Sequence, residues 1–400
     1  MSKLDDLINE LCPNGVEYKK ISEVCEISRG IVMSKDFIRD NAGNYPVYSS
    51  QTENDGCLGY INTYKYDGEY LTWTTDGANA GTVFYRNGKF SVTNVCGLLK
   101  VININLITKF LFYALNIEAP KHVNRGMGNA KLMSNVMDSI SIPVPPLAVQ
   151  CEIVRILDNF TELTAELTAE LTARKKQYEY YRDSLLTFKT EIPRVKLGDI
   201  ATEIYRGSGI KKDEVTLDGI PCVRYGEIYT KYNIWFDSCV SHTKLEYVYS
   251  PKYFEYGDIL FAITGESVED IAKSIAYVGK EKCLAGGDIV VMKHKQNPKY
   301  LSYALSTVDA IKQKGKGKVK SKVVHSSVPA IQDIEIPLPP LEIQERIVNV
   351  LDNFDAICSD LKIGLPAEID ARKKQYEYYR DLLLRFELLG TNIATHTHTR

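Results

Sequence analysis

The chain has 400 residues, 44% hydrophobic and 25% charged, with a formal net charge of −2. This composition describes a folded chain of two or more domains and excludes low-complexity and collagen-like polymers. No stretch approaches ~18 consecutive apolar residues, which excludes a hydrophobic membrane helix, and near-neutrality excludes a uniformly basic nucleic-acid binder while leaving room for a local basic patch.

From the N-terminus, Met1-Ser-Lys-Leu-Asp-Asp6 carries two acids and no apolar core, unlike a secretory signal. The nine cysteines include no Cys-x-x-Cys pair and read as reduced thiols, so the expected compartment is the cytoplasm. Residues 1–146 read as a compact α+β domain. Short β-branched and aromatic runs at residues 70–75 and 81–85 are bounded by Gly, Asn and Asp, and a short helix follows at 109–116. Ile142-Pro-Val-Pro-Pro-Leu147 then opens a segment, 147–190, that lacks Gly and Pro until Pro193. Leu163, Leu167 and Leu171 recur every fourth residue on it, continuing a stripe of Ile153, Ile156, Leu157 and Phe160, the mark of a long amphipathic helix.

The chain then repeats itself. Ile336-Pro-Leu-Pro-Pro-Leu341 echoes the first helix entry, and Leu351-Asp-Asn-Phe354 echoes Leu157-Asp-Asn-Phe160. Residues 371–386 match residues 173–188 at 14 of 16 positions. Ile204-Tyr-Arg-Gly207 matches Ile27-Ser-Arg-Gly30, and residues 299–305 match 109–115. A period near 195 residues is too long for a solenoid and means whole duplicated domains. The expected organisation is therefore a domain at 1–146, a helix at 147–190, a second α+β domain at 191–340, a second helix at 341–388 and a disordered tail at 389–400. Gly364-Leu-Pro366 predicts a break in the second helix. The two long helices are expected to pack as an antiparallel coiled coil with a pseudo-twofold relation between the halves, because a helix of this length needs a partner.

Catalytic chemistry is not legible. There is no Gly-rich nucleotide loop and no Asn-Pro-Pro-Tyr segment, and the histidines are scattered. Asp76, Glu266 and Asp288 sit near strand ends and read as turn formers before they read as a carboxylate site. No catalytic residue and no metal ligand is assigned. The strongest binding signal is basic: Lys312, Lys314, Lys316, Lys318, Lys320 and Lys322 alternate around two glycines, and the first half carries Lys121, Arg125 and Lys131 with its own glycines in the equivalent place. Ammonium groups on a loop that glycine lets approach a ligand suit phosphates. A second surface is formed by Trp73, Thr74, Thr75 and Asn79, matched loosely by Thr264 and Ser267, whose polar groups can reach base edges or phosphate oxygens.

The paired Ile-Pro-x-Pro-Pro-Leu entries, the Leu-Asp-Asn-Phe tetrads, the two Arg-Lys-Lys-Gln-Tyr-Glu-Tyr-Tyr-Arg-Asp segments and the tandem Thr164-Ala-Glu-Leu167 and Thr168-Ala-Glu-Leu171 resemble the specificity (S) subunits of type I restriction–modification systems, with the short repeat similar to the type IC branch. The resemblance implies two target recognition domains that read a bipartite, asymmetric double-stranded DNA site. It implies repeated helices that set the spacing, with Leu163, Leu167 and Leu171 on the spacer, and that dock two methyltransferase (M) subunits through Tyr178, Tyr181, Tyr376 and Tyr379. Restriction (R) subunits would join them. S-adenosylmethionine, ATP and Mg2+ would then belong to the partners, and this chain would carry no cofactor and no catalysis of its own. A protein-only coiled-coil adaptor would leave the paired basic loops and divergent duplicated domains without explanation, and an unrecognised nucleic-acid enzyme would need a carboxylate cluster and divalent-metal dependence that the sequence does not show.

Overall fold

The computed structural model describes residues 3–126, 128–188, 192–316, 323–359 and 362–389. The chain forms two compact units, residues 1–167 with 369–400, and residues 168–368. Each unit holds one of the expected globular domains together with parts of both repeated helices. An isolated amphipathic helix cannot bury its own apolar stripe, so each length of helix joins the core beside it. Of the expected tail, residues 390–400 lie outside the described residues.

In the first unit a six-stranded sheet runs in the order Cys25–Arg29, Cys96–Val101, Tyr66–Thr74, Val83–Val92, Ala42–Tyr48, Cys57–Ile61. The helix Thr108–Glu118 packs Phe110, Leu111 and Leu115 into a core with Leu71, Trp73 and Leu99 from the sheet. Val149, Ile153 and Leu157 of the long helix join the same core, as does Leu384 just after the C-terminal helix. In the second unit one sheet runs Ala201–Arg206, Ile289–His294, Ile259–Ala262, Ser274–Tyr277, Trp235–Phe236. Its first four strands repeat the order and antiparallel pairing of the first four strands of the six-stranded sheet. A second five-stranded sheet, Val215–Thr216, Ser241–Thr243, Ile220–Val223, Cys283–Ala285, Tyr253–Phe254, extends this unit. The duplication is a shared sheet carrying different additions.

The repeated sequence marks each have a structural cause. In both Arg-Gly pairs a Cβ on the glycine would collide with backbone carbonyl oxygens, of Val92 at Gly30 and of Gly286 at Gly207, so only glycine fits. The Ile-Pro segments are edge strands: Ser141–Val144 pairs with Glu17–Lys20, and Glu335–Pro337 with Arg194–Lys196. The Pro146 and Pro340 carbonyls accept the first helical hydrogen bonds, from the N–H groups of Val149 and Ile343, each at 2.9 Å. Gln150 and Gln344, both fully buried, lock these entries. Gln150 Oε1 accepts from the Ile107 N–H (2.9 Å) while its Nε2 donates to the Asn105 and Pro145 carbonyls (2.8 and 2.7 Å). Gln344 Oε1 accepts from the Asn297 N–H (3.0 Å) while its Nε2 donates to Gln296 Oε1 and the Pro339 carbonyl (3.0 and 2.8 Å). A buried amide with its donors and an acceptor satisfied carries no desolvation penalty that an apolar residue would relieve.

The aspartate of each Leu-Asp-Asn-Phe tetrad fastens its helix to the short helix of the same unit. Asp158 accepts from Lys109 Nζ and Tyr113 Oη, both at 2.6 Å. Asp352 accepts from Lys299 Nζ at 2.6 Å, Tyr303 Oη at 2.7 Å and Trp235 Nε1 at 3.1 Å. Two residues on, the phenylalanine of each tetrad stacks on a tyrosine of the other copy's motif, Phe160 on Tyr379 (5.5 Å between centroids) and Phe354 on Tyr181 (5.6 Å).

The helix Leu147–Leu186 runs 40 residues, about 60 Å at ~1.5 Å per residue. Leu163, Leu167 and Leu171 are half-buried on it. The second copy is broken as the Gly-Leu-Pro segment predicts, into Leu341–Ser359 and Leu365–Leu383. The Gly364 carbonyl accepts from the N–H groups of Ala367 and Glu368 and so starts the second piece. No helix among the described residues is long and apolar enough to cross a membrane.

Candidate nucleic-acid interface

In the first unit the fold brings together the two surfaces singled out in the sequence; in the second it joins the Thr264 segment to the residues that follow the lysine run. In the first, the turn after the central strand Tyr66–Thr74 is bridged to the basic glycine-containing stretch. The Leu132 N–H donates to the Thr75 carbonyl (2.9 Å), the Gly77 N–H donates to the Ala130 carbonyl (3.0 Å), and Lys131 bridges to both Asp76 and Asn124. In the second, Thr264–Gly265 pairs with Val324–His325, and the Ser326 N–H donates to the Ile263 carbonyl (2.8 Å). The same loop-to-loop seam is thus built twice on different residues. It borders a hollow of about 280 Å³ lined by Asn124, Gly126, Gly128, Asn129 and Lys131 in the first unit. In the second it borders a cleft of about 600 Å³ whose lining includes Tyr225, Tyr229, Thr264, Glu266 and Ser267.

Several sequence-predicted contacts are corrected. Trp73 is fully buried and its indole N–H donates to the Leu132 carbonyl (3.0 Å); it supports the seam from below and presents nothing to a ligand. Thr74 and Thr75 are also buried, their hydroxyls donating to the carbonyls of Asn79 and Val95. Of that segment Asn79 is exposed, with Nδ2 donating to Thr52 Oγ1 at 2.7 Å. Arg125 and Lys131 are exposed and have no acidic partner among the described residues, whereas Lys121 is paired with Glu118 at 2.7 Å. Thr264 and Ser267 are half-buried; Thr264 Oγ1 lies 3.2 Å from His325 Nδ1, and the Ser267 hydroxyl donates to Asp270.

The lysine run divides. Lys312 and Lys316 are exposed, and Lys318, Lys320 and Lys322 lie outside the described residues. Lys314 is buried, donating to Ser274 Oγ (3.0 Å) and the Leu305 carbonyl (2.8 Å), and cannot meet a phosphate there. Burial, and then the neighbouring Lys273 ammonium, bring its pKa down to about 7. An unfolded lysine titrates near ~10.4. Between those values the unfolded chain holds the extra proton, so stability should rise with pH by at most about 1.4 kcal/mol per unit. Below pH ~7 both states are protonated and the slope vanishes. Lys314→Met should flatten that rise in urea denaturation at pH 7, 8.5 and 10; parallel profiles for the two proteins would contradict it.

Among the described residues no group of three or more His, Cys, Asp or Glu is placed to hold a metal. Asp288 is spoken for by Arg206 at 2.7 Å, and the Asp76 carboxylate lies 3.3 Å from Thr75 Oγ1. Tyr225 and Tyr229 of the cleft escaped sequence reasoning, because a six-residue helix, Tyr225–Thr230, gives no periodic signal long enough to read.

The model of the type I restriction modification DNA specificity domain matches this chain twice, at residues 13–174 and 191–371. The chain belongs to this family. A type I specificity subunit of Mycoplasma pneumoniae is 35% identical over 372 residues, covering 92% of this chain and 97% of that one. A second from the same organism is 36% identical over 345 residues, 82% and 97% of the two chains. Among solved structures, a type I restriction–modification S subunit from M. genitalium shares the fold at a TM-score of 0.51 and 16% identity, covering 92% of this chain and 95% of that chain. A chain from a structural study of assembly and conformational transition in the type I system matches at 0.62 and 14% identity, covering 93% and 98%.

In this specificity subunit the three tyrosines of each repeated motif face three ways. Tyr178 is buried, so it belongs to the core and not to a docking surface. Tyr376 is half-buried against the first unit's core. Tyr181 and Tyr379 are taken up in the phenylalanine stacks, each keeping one edge exposed. Tyr180 and Tyr378, passed over in the sequence, are the outward ones, at 70% and 66% exposure.

Proposed function

We propose that this chain is the DNA-reading, non-catalytic member of a type I restriction–modification assembly in the cytoplasm, serving host defence. Its two recognition domains read the two parts of a bipartite, asymmetric double-stranded site. Two M subunits dock on the repeated helices, with Tyr180 and Tyr378 as equivalent outward contacts, and R subunits complete the nuclease. S-adenosylmethionine, ATP and Mg2+ serve the partners' chemistry.

The observation that carries this reading is the pairing of similar anchorage with unlike loops. The Gln150 and Gln344 clamps and the Asp158 and Asp352 networks share a plan, while the seams are built on different residues, 75–77 with 130–132 in one unit and 263–265 with 324–326 in the other. Similar anchorage suits two identical partners, and unequal loops suit two unlike half-sites. Exposed Arg125, Lys131, Lys312 and Lys316 supply sequence-independent phosphate affinity, and loop side chains supply the choice of base.

Reconstitution tests it. Incubated alone with labelled S-adenosylmethionine and mixed-sequence DNA, the chain should transfer no methyl group. With M subunits added it should direct methylation to one bipartite sequence, and native mass spectrometry should find two M to one S. Transfer by the chain alone, or a one-to-one complex that takes up no further M, would contradict the proposal.

A further inference from the structure

The first unit contains a second polar loop that the sequence reading passed over. Residues 49–57 leave the strand Ala42–Tyr48 and return to Cys57–Ile61 as a closed loop, with the Ser49 N–H donating to the Gly56 carbonyl at 3.0 Å. Three successive residues in it are left-handed: Asn54 (φ 50°), Asp55 (φ 53°) and Gly56 (φ 74°). Asn54 and Asp55 are two of the three non-glycine residues with positive φ among the described residues; the third is Ala272. Asn and Asp tolerate this region better than other side chains, but a run of it persists only where the surroundings dictate it.

What dictates it is Arg86, a guanidinium with 2% side-chain exposure. Its Nη1 donates to the Asp55 carboxylate (2.5 Å), Nη2 to the Asp55 carbonyl (2.7 Å) and Nε to Thr72 Oγ1 (3.1 Å). Its Cζ lies 3.6 Å from the centre of the Tyr48 ring and 4.6 Å from that of Phe84. A planar fork held on two rings and spent on one loop residue is a fixture for that loop. The loop is also tied to the seam, since the exposed Asn79 donates to Thr52. At its tip Glu53 and Asn54 are exposed, and neither side chain has a partner among the described residues.

We infer that residues 52–55 form a base-reading edge of the first recognition domain, with Glu53 and Asn54 as specificity-determining residues and Arg86 as the residue that positions them. The inference rests on the DNA-recognition reading above. The Glu53 carboxylate only accepts, so it suits the exocyclic amino group of cytosine or adenine in the major groove. It repels phosphate oxygens in any register lacking such a partner. The Asn54 amide offers a donor and an acceptor, the pair that adenine's N7 and N6 complement. Holding their backbone in advance lowers the cost of loop ordering on binding.

The test is the methylated sequence produced by the full chain assembled with its M subunits, read by long-read sequencing and by relative rates on one-base-changed duplexes. Glu53→Gln and Asn54→Gly alter exposed positions, and glycine keeps the left-handed backbone. Each should relax at least one base in a single half-site, with discrimination there falling roughly tenfold. The other half-site and the gap should stay as they are. Arg86→Lys keeps the charge and loses the fork, and should slow methylation of the cognate site while relaxing the same positions. If Glu53→Gln and Asn54→Gly leave every position of both half-sites unchanged, or alter the salt dependence alone, the inference fails. A wild-type assembly that methylates without sequence preference would instead overturn DNA recognition itself.

Discussion

A third Thr-Ala-Glu-Leu unit inserted after Leu171 should lengthen the unspecified gap in the methylated sequence by one or two base pairs and leave both half-sites as they were. The insertion falls within the unbroken helix Leu147–Leu186, beyond Leu163 and Leu167 and ahead of the aromatic motif. Four residues add about 6 Å of rise and only ~40° of net rotation at 3.6 residues per turn. Leucine keeps its every-fourth spacing, so the half-buried stripe continues without a polar residue entering it. A step along B-form DNA is ~3.4 Å, which makes the added rise comparable to one or two steps. The seams, the Gln clamps and the Asp networks lie away from the insertion and are untouched. Methylome sequencing of cells carrying the variant reads the outcome directly. An unchanged gap would mean that this helix does not set the spacing.

Replacing Asp352 with alanine should be the most damaging single change among the repeated anchors. It strands the Tyr303 hydroxyl, the Trp235 indole N–H and the Lys299 ammonium, which itself lies 3.6 Å from the Trp235 ring centre. Tyr303 is fully buried, so its hydroxyl has no water to turn to. An unsatisfied buried donor costs about 1–3 kcal/mol, and losing one partner of a shielded ion pair adds to that, giving ~3 kcal/mol or more. Asp158→Ala strands only the Tyr113 hydroxyl and a Lys109 whose side chain is 39% exposed, so about half that loss is expected. Urea denaturation gives the totals. Hydrogen exchange should place the Asp352→Ala loss in the helices Pro298–Leu305 and Leu341–Ser359. Equal effects for the two variants would show that Trp235 adds nothing to the second network.

Much of this was legible in the sequence because the repeat is written in local features. Pro-Pro helix entries, a 40-residue stretch without breakers and the Gly-Leu-Pro interruption each act within a few residues of themselves. The site was legible as segments but not as side chains. The strand Tyr66–Thr74 ends in four consecutive buried residues, since one face meets the helix-side core and the other packs against the rest of the sheet's surroundings. A strand covered on both faces has no alternation, so nothing local says that Trp73 points inward. Lys314 failed for the opposite reason. Alternate lysines read as an extended loop, but residues 308–315 are helical, and at helical spacing Lys314 shares the buried face of Ala310. The Arg86 fixture joins residues 31 apart, beyond any periodic signal.

The twin anchors also bear on how such a chain changes its target. Besides apolar packing, the polar contacts that both recognition domains offer their fastening are a lysine and a tyrosine four residues apart on one short helix and a backbone N–H for the glutamine. Those demands leave the loops unconstrained, so a foreign domain that meets them can be spliced in whole without redesigning its mount. The near-identical segments 173–188 and 371–386 lie beyond the two mounts and are helical as far as Leu186 and Leu383, so exchange between copies there would cut no strand. A chain built this way could acquire new specificities by trading entire modules on one kind of mount.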